Sequence, residues 1–235
     1  MIHFSPVKAL KRVTLATSLA SVLMSTIPMT SVHAQSLGDL ANAAKGKGTA
    51  LFNTVEFRSK SFRALPQWAR VLKKAKSEIK YFNSCANNSA NCKTAQQKSW
   101  RKIIHSAKNM SRRQKLDTVN KFFNRWPYKL DSEVYGVSEY WASPNQFMRT
   151  SGDCEDYSIA KYYALQELGF RDSEMRIVIL KDRIRGIGHA VLAIYEKNDI
   201  LILDSLSNLI LTHKKYRHYV PQYSMNATTR WAHIK

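Results

Sequence analysis

Acidic residues are scarce in this chain: 17 Asp and Glu stand against 37 Lys and Arg over 235 residues, a formal net charge of +20. That imbalance leaves two readings. Lys and Arg are spread over solvated helix faces, or they meet an acidic partner: a protein segment, membrane phosphates or nucleic acid. No DNA- or RNA-reading motif is present, so an acidic protein segment is the best of the partner readings. Beyond the N-terminal segment there is no long uncharged apolar run, which excludes a further membrane-spanning helix. Internal repeats and low-complexity tracts are also lacking, so a solenoid is excluded. Cysteine is limited to Cys85, Cys92 and Cys154, too few for a framework of several disulfides.

The first residues point to export. Lys8, Lys11 and Arg12 form a basic region, Val13–Met29 carries no charge, and Val32-His33-Ala34 fits a small-x-Ala cleavage pattern. Residues 1–34 therefore read as a secretory signal peptide, with an uncleaved anchor as the alternative. Cleavage would take the net charge from +20 to +17. The remaining residues 35–235 suffice for a single domain with a proper core. In an oxidising compartment Cys85 and Cys92, flanking the polar run ANNSAN, read as a disulfide; no histidine lies near enough in sequence to favour zinc. Cys154 is then the odd thiol, either a core residue or a reactive one.

Periodicity divides the rest. Ser36–Asn53 is rich in small residues. Leu65–Phe82, Gln96–Lys108 and Arg112–Trp126 show apolar positions at helical spacing. Pro127–Thr150 reads as a long irregular, aromatic-rich segment. A further helix follows Asp153 as N-cap and stops at Gly169. Met175–Leu180, His189–Tyr195, Ile200–Asp204, Leu209–Thr212 and Thr228–His233 read as strands, with Glu196–Asp199 as a turn. Helices first and strands second imply an α+β domain: a helical part at about 55–126, then a catalytic-type helix and antiparallel sheet at about 150–235.

The block GDCEDY places a lone thiol among acids at a helix start. A helix N-terminus offers partial positive charge and free N–H groups, which stabilise a thiolate and the oxyanion of acyl transfer. His189, opening an apolar strand after RIRGIG, is the best candidate base; His105, His213, His218 and His233 lie in polar helix, strand-end or tail settings. Asp204, ending the next strand, is the best orienting carboxylate. A two-residue turn centred on Lys197-Asn198 would put Asp204 opposite Val191, diagonal to His189 on the same face. Each of the three residues alone is more often structural; their order is what makes a triad.

The segments WASPNQFMRTSGDCEDYSIAKYYALQELGF, GHAVLAIY and LILDSLSN resemble the bacterial transglutaminase-like cysteine proteinases. The resemblance implies a papain/transglutaminase-like fold with Cys154 as nucleophile, His189 as base and Asp204 as orienting residue. It implies calcium (Ca²⁺) dependence with ligands from Asp153 and Glu155; Asp156 is either a further ligand or a first-turn helix acid. It also implies a periplasmic endopeptidase. The substrate would be a large surface adhesin cut in its N-terminal region to release biofilm cells, under an inner-membrane LapD-type cyclic-di-GMP receptor. The same triad would equally serve an amidase or a transglutaminase, and a basic binding module with a vestigial cysteine is the non-enzymatic alternative.

Overall fold

The computed structural model describes residues 50–235; the expected signal peptide lies outside them. Strand β1 (Val55–Ser59) is followed by helices α1 (Pro66–Asn87), α2 (Ala95–Ala107) and α3 (Arg112–Phe123). Pro66 opens α1, where its missing N–H has no intrahelical partner to lose. Thr94 and Ser111 open the next two helices by accepting the N–H groups of Gln97 and Gln114. The two Gln side chains in turn accept the cap N–H groups, completing two capping boxes. Helix α1 runs past the expected end at Phe82, so Cys85 sits on its last turn and the Cys85–Cys92 disulfide clasps that turn to the following loop. The apolar stripes meet in an aromatic seam. Phe82 stacks on Trp100 at 4.8 Å, and Phe123 lies 5.9 Å from Phe147.

Pro127–Thr150 is not wholly irregular. It holds two short helices, α4 (Asp131–Val134) and α5 (Pro144–Thr150). The Ser143-Pro144 start of α5, closed by Gln146, is a local signal that the aromatic content obscured. Helix α6 (Cys154–Glu167) begins after Asp153 and is buried on nearly every face, packed between the other helices and the sheet. A helix so enclosed shows little amphipathic period. Gly169, at φ 94°, takes the left-handed position beyond its end.

The sheet has seven antiparallel strands in the order β1-β7-β6-β2-β3-β4-β5. These are β2 (Met175–Asp182), β3 (Ile187–Tyr195), β4 (Ile200–Asp204), β5 (Ser207–Thr212), β6 (Tyr219–Met225) and β7 (Arg230–Ile234). Two strands correct the sequence reading. The edge strand β1 precedes the helices and pairs with β7 at the far end of the chain. Strand β6 carries Pro221, which sequence logic excludes from an inner strand. The pairing with β2 shifts register there, between Ile179 and Leu180, so a bulge absorbs the missing N–H. Among the described residues no helix is long and apolar enough to cross a membrane.

The β1–β7–β6 end is pinned by His233. It is 8% exposed, with Nδ1 at 2.9 Å from Thr54 Oγ1 and Nε2 at 2.8 Å from Ser224 Oγ. Burial pushes its pKa from 6.5 down to about 4, although the nearby Glu56 charge opposes the shift. The folded state therefore binds fewer protons than the unfolded chain between those values, so stability falls as pH drops from 6.5 to about 4. The effect is worth up to ~3 kcal/mol. Urea unfolding of wild type and His233→Asn across this window checks it: the wild-type midpoint should fall more steeply on acidification.

Candidate active site and acidic cluster

Cys154 is the first residue of α6, and its thiol is buried. Burial, and then the charges of Glu155 and Asp153, push the thiol pKa up; the backbone N–H of Ala190 pulls the other way. That N–H belongs to the residue after His189, so the start of α6 abuts β3 beside the histidine. The thiol also donates to Glu155 Oε2 at 3.2 Å.

His189 and Asp204 come together as the hairpin reading requires. Leu192 pairs with Leu203 and Tyr195 with Ile200, and Glu196 N–H donates to Asp199 O across the Lys197-Asn198 turn. The β3–β4 pairs end at Leu192–Leu203, one residue short of Asp204. His189 Nε2 lies 2.9 Å from Asp204 Oδ1. With the carboxylate on Nε2, Nδ1 is the nitrogen left to receive a proton.

Two further groups hold Asp204. Leu206 N–H donates to Oδ1 at 2.9 Å, and the Tyr219 hydroxyl donates to Oδ2 at 2.7 Å. Burial alone would raise this carboxyl, but the hydrogen bonds and the His189 charge hold it below its usual range. Tyr219 also sets its ring edge-to-face with His189, centroids 5.7 Å apart. It lies on β6, the strand the sequence concealed, so no local pattern tied it to His189 and Asp204. Lys161, on α6, was missed although its helix was read, because its burial comes from tertiary packing. It is fully buried with no hydrogen-bond partner at Nζ, and burial lowers its pKa to about 7 against the pull of Asp204.

The acids of GDCEDY divide between two groupings. Asp153, Glu155 and the Cys154 thiol form one. Asp153 and Asp156 form the other with Asp131, which opens α4 and which spacing rules do not link to GDCEDY. In each, the prospective ligand atoms lie within 4.8 Å of one another. Asp131 and Asp156 are buried at 2% and 0% exposure. Asp131 Oδ2 accepts from Tyr140 N–H, and Asp156 Oδ1 from Ala142 N–H at 2.5 Å. The Oδ1 atoms of Asp131 and Asp153 are buried without a partner. Gly152 makes room for this packing, because a Cβ there would strike the Asp156 carboxylate.

Burial pushes Asp153 up to about 9, helped by the Glu155 charge, and raises Asp131, Glu155 and Asp156 as well. Three crowded carboxylates with two orphaned oxygens fit a hard divalent cation: the donors are oxygen, and backbone N–H groups orient Asp131 and Asp156.

A family model described as bacterial transglutaminase-like cysteine proteinase matches residues 71–235. The chain belongs to that family. It is a cysteine protease with a transglutaminase-like fold. Legionella pneumophila LapG is 30% identical, with a TM-score of 0.56, covering 64% of this chain and 85% of that one. A calcium-bound LapG structure is 32% identical over 66% of this chain and 87% of that one, at a TM-score of 0.56. An EGTA-treated LapG structure is 30% identical, covers 66% and 86%, and has a TM-score of 0.57. No curated protein matches the chain.

In this protease, Tyr219→Phe removes one hydrogen bond to Asp204 and keeps the ring on His189. The variant should melt close to wild type and lose about tenfold in kcat with KM little changed. Steady-state kinetics on a peptide substrate checks this, and an unaltered kcat would leave Tyr219 as packing alone.

Proposed function

We propose that this protease is a calcium-dependent periplasmic endopeptidase in which Cys154, His189 and Asp204 form the triad. Its substrate would be the N-terminal region of a large surface adhesin, cut to release biofilm cells, with a LapD-type cyclic-di-GMP receptor as the controlling partner. One observation carries the chemistry: a buried His189–Asp204 pair next to Ala190, whose N–H acts on the thiol of a cysteine at a helix N-terminus, with an oxygen-donor cluster directly against that thiol.

His189 Nδ1 takes the Cys154 proton, and the thiolate sulfur attacks the scissile carbonyl carbon. The carbonyl oxygen gains negative charge and is met by N–H groups of the first turn of α6, which have no intrahelical acceptor. Collapse breaks the C–N bond as the imidazolium gives its proton to the leaving amine. Water, deprotonated by His189, then hydrolyses the acyl-enzyme and restores the thiol. Asp204 keeps the imidazole in the required tautomer, and Tyr219 and Leu206 keep Asp204 in place.

Asp153, Glu155 and Asp156 would hold Ca²⁺, joined by Asp131. Bound there, the ion supplies positive charge that offsets the acids around the thiol and braces the α6 start. LapG structures solved both calcium-bound and after EGTA treatment support this reading by kinship.

Cys154→Ala should abolish cleavage of an alanine-rich adhesin segment and leave the melting temperature near wild type. EGTA should silence the wild-type enzyme, and added calcium should restore activity and raise its melting temperature. Asp131→Asn should shrink that calcium-induced rise. Undiminished cleavage in excess EGTA would remove the metal from the mechanism, while a wild-type protein that never cuts the segment with calcium present would remove the proposed substrate.

A further inference from the structure

The charge of this chain is divided between its two halves. Residues 57–130 carry nineteen Lys and Arg against two acids, Glu78 and Asp117, whereas residues 131–235 carry thirteen of each sign. Neither acid of the first half is free. Glu78 is buried and accepts from Ser143 Oγ at 2.6 Å and Asn145 N–H at 2.9 Å; Asp117 pairs with Arg113 at 3.1 Å. Helices α1 and α2 together hold eight Lys and Arg, and among the described residues none of the eight lies in an ion pair. Lys73, Lys76 and Lys80 repeat at three- and four-residue steps, and Arg101 and Lys102 stand three and four residues after Lys98. Like charges at that spacing destabilise a helix, so neither helix gains stability from the arrangement.

The charge also has a receptacle. A cavity of about 450 Å³ is lined by Lys98, Arg101, Lys102 and His105 of α2, with Ser89 and Cys92 of the disulfide-clasped loop opposite. No acid lines it. Arg101 Nε is buried there without a hydrogen-bond partner. The disulfide fixes one wall, so little ordering would be needed when a ligand enters.

We propose that this cavity and the α1–α2 face around it dock an acidic polypeptide segment, independently of the catalytic centre. Carboxylate side chains would enter between Lys98, Arg101 and Lys102, and neighbouring acids would meet the lysines of α1. Shape favours a polypeptide over a membrane: the site is concave, and from the start of α1 to the start of α3 the exposed large apolar side chains are Tyr81 and Met110. A single-stranded nucleic acid would call for aromatic platforms among the basic residues, and none lines the cavity.

The test uses the purified full chain and a fluorescein-labelled peptide of alternating glutamate and glycine, followed by anisotropy. Wild type should bind, with affinity falling as sodium chloride rises. Lys98→Gln/Arg101→Gln/Lys102→Gln should weaken binding about tenfold or more, with hydrolysis of a short peptide substrate unchanged. Lys181→Gln/Arg183→Gln/Arg185→Gln, in the charge-balanced half, should bind as wild type does. Should the α2 variant fail to fold, the glutamate peptide must still protect Lys98 and Lys102 of the wild type from acetic anhydride. Absence of binding at low salt, equal losses in both triple variants, or lack of that protection would overturn the proposal. Binding confined to phosphatidylglycerol vesicles or to an oligonucleotide would overturn it too.

Discussion

The burial of like charges at the start of α6 is the constraint around which the catalytic half is arranged. Asp131, Asp153 and Asp156 converge there from two elements, α4 and the α6 cap, with oxygens left unpaired inside the protein. A desolvated carboxylate must be protonated, paired with a positive charge or bound to a metal. The chain supplies N–H donors from Tyr140 and Ala142, and the charge of Arg70 acts on Asp131, yet burial still raises all three carboxyls. Gly152 gives up its side chain so that Asp156 can fold back against the backbone. These features have a common explanation if a cation belongs to the folded state. The same field acts on the adjacent Cys154 thiol, which makes its ionisation dependent on how the cluster is neutralised.

The other half of the catalytic geometry comes from the sheet. A two-residue turn sets the β3–β4 register, and that register brings His189 within hydrogen-bond distance of Asp204. Tyr219 then ties Asp204 to β6, which sits on the far side of β2 from β3. The bulge at Pro221 lies two residues beyond Tyr219 and is where β6 changes its pairing. The proline that makes β6 look unlike a strand thus belongs to the stretch that presents the tyrosine.

What was legible in the sequence was local or sequential. Helices α1, α2 and α3 announce themselves by apolar stripes, and two of them by Ser or Thr caps. The β2–β4 run follows from apolar stretches and a turn, and its register could be counted from Lys197-Asn198. What stayed hidden depends on distant partners. Strand β1 has a charged, alternating sequence that becomes a strand only because β7 offers an edge. Asp131 looks like any acid opening a short helix until the fold carries it to Asp153 and Asp156. Lys161 reads as a solvated helix position and is fully enclosed. Each of these residues takes its role from tertiary contacts, which periodicity does not encode.

The division of charge gives the molecule two electrostatic regimes. The lysines and arginines of α1 and α2 act largely through solvent, where mobile ions screen them beyond roughly 8–10 Å at ordinary ionic strength. The acids at the α6 start are buried, so salt reaches them weakly. An exposed field of one sign attracts partners from a distance without fixing their orientation, whereas a buried cluster sets geometry over a few ångströms and attracts nothing from afar. Placing the two on different halves lets the basic face engage a polyanion without drawing its positive charge to the thiol. It also keeps the carboxylates, which would repel an acidic segment, away from the surface that would receive one.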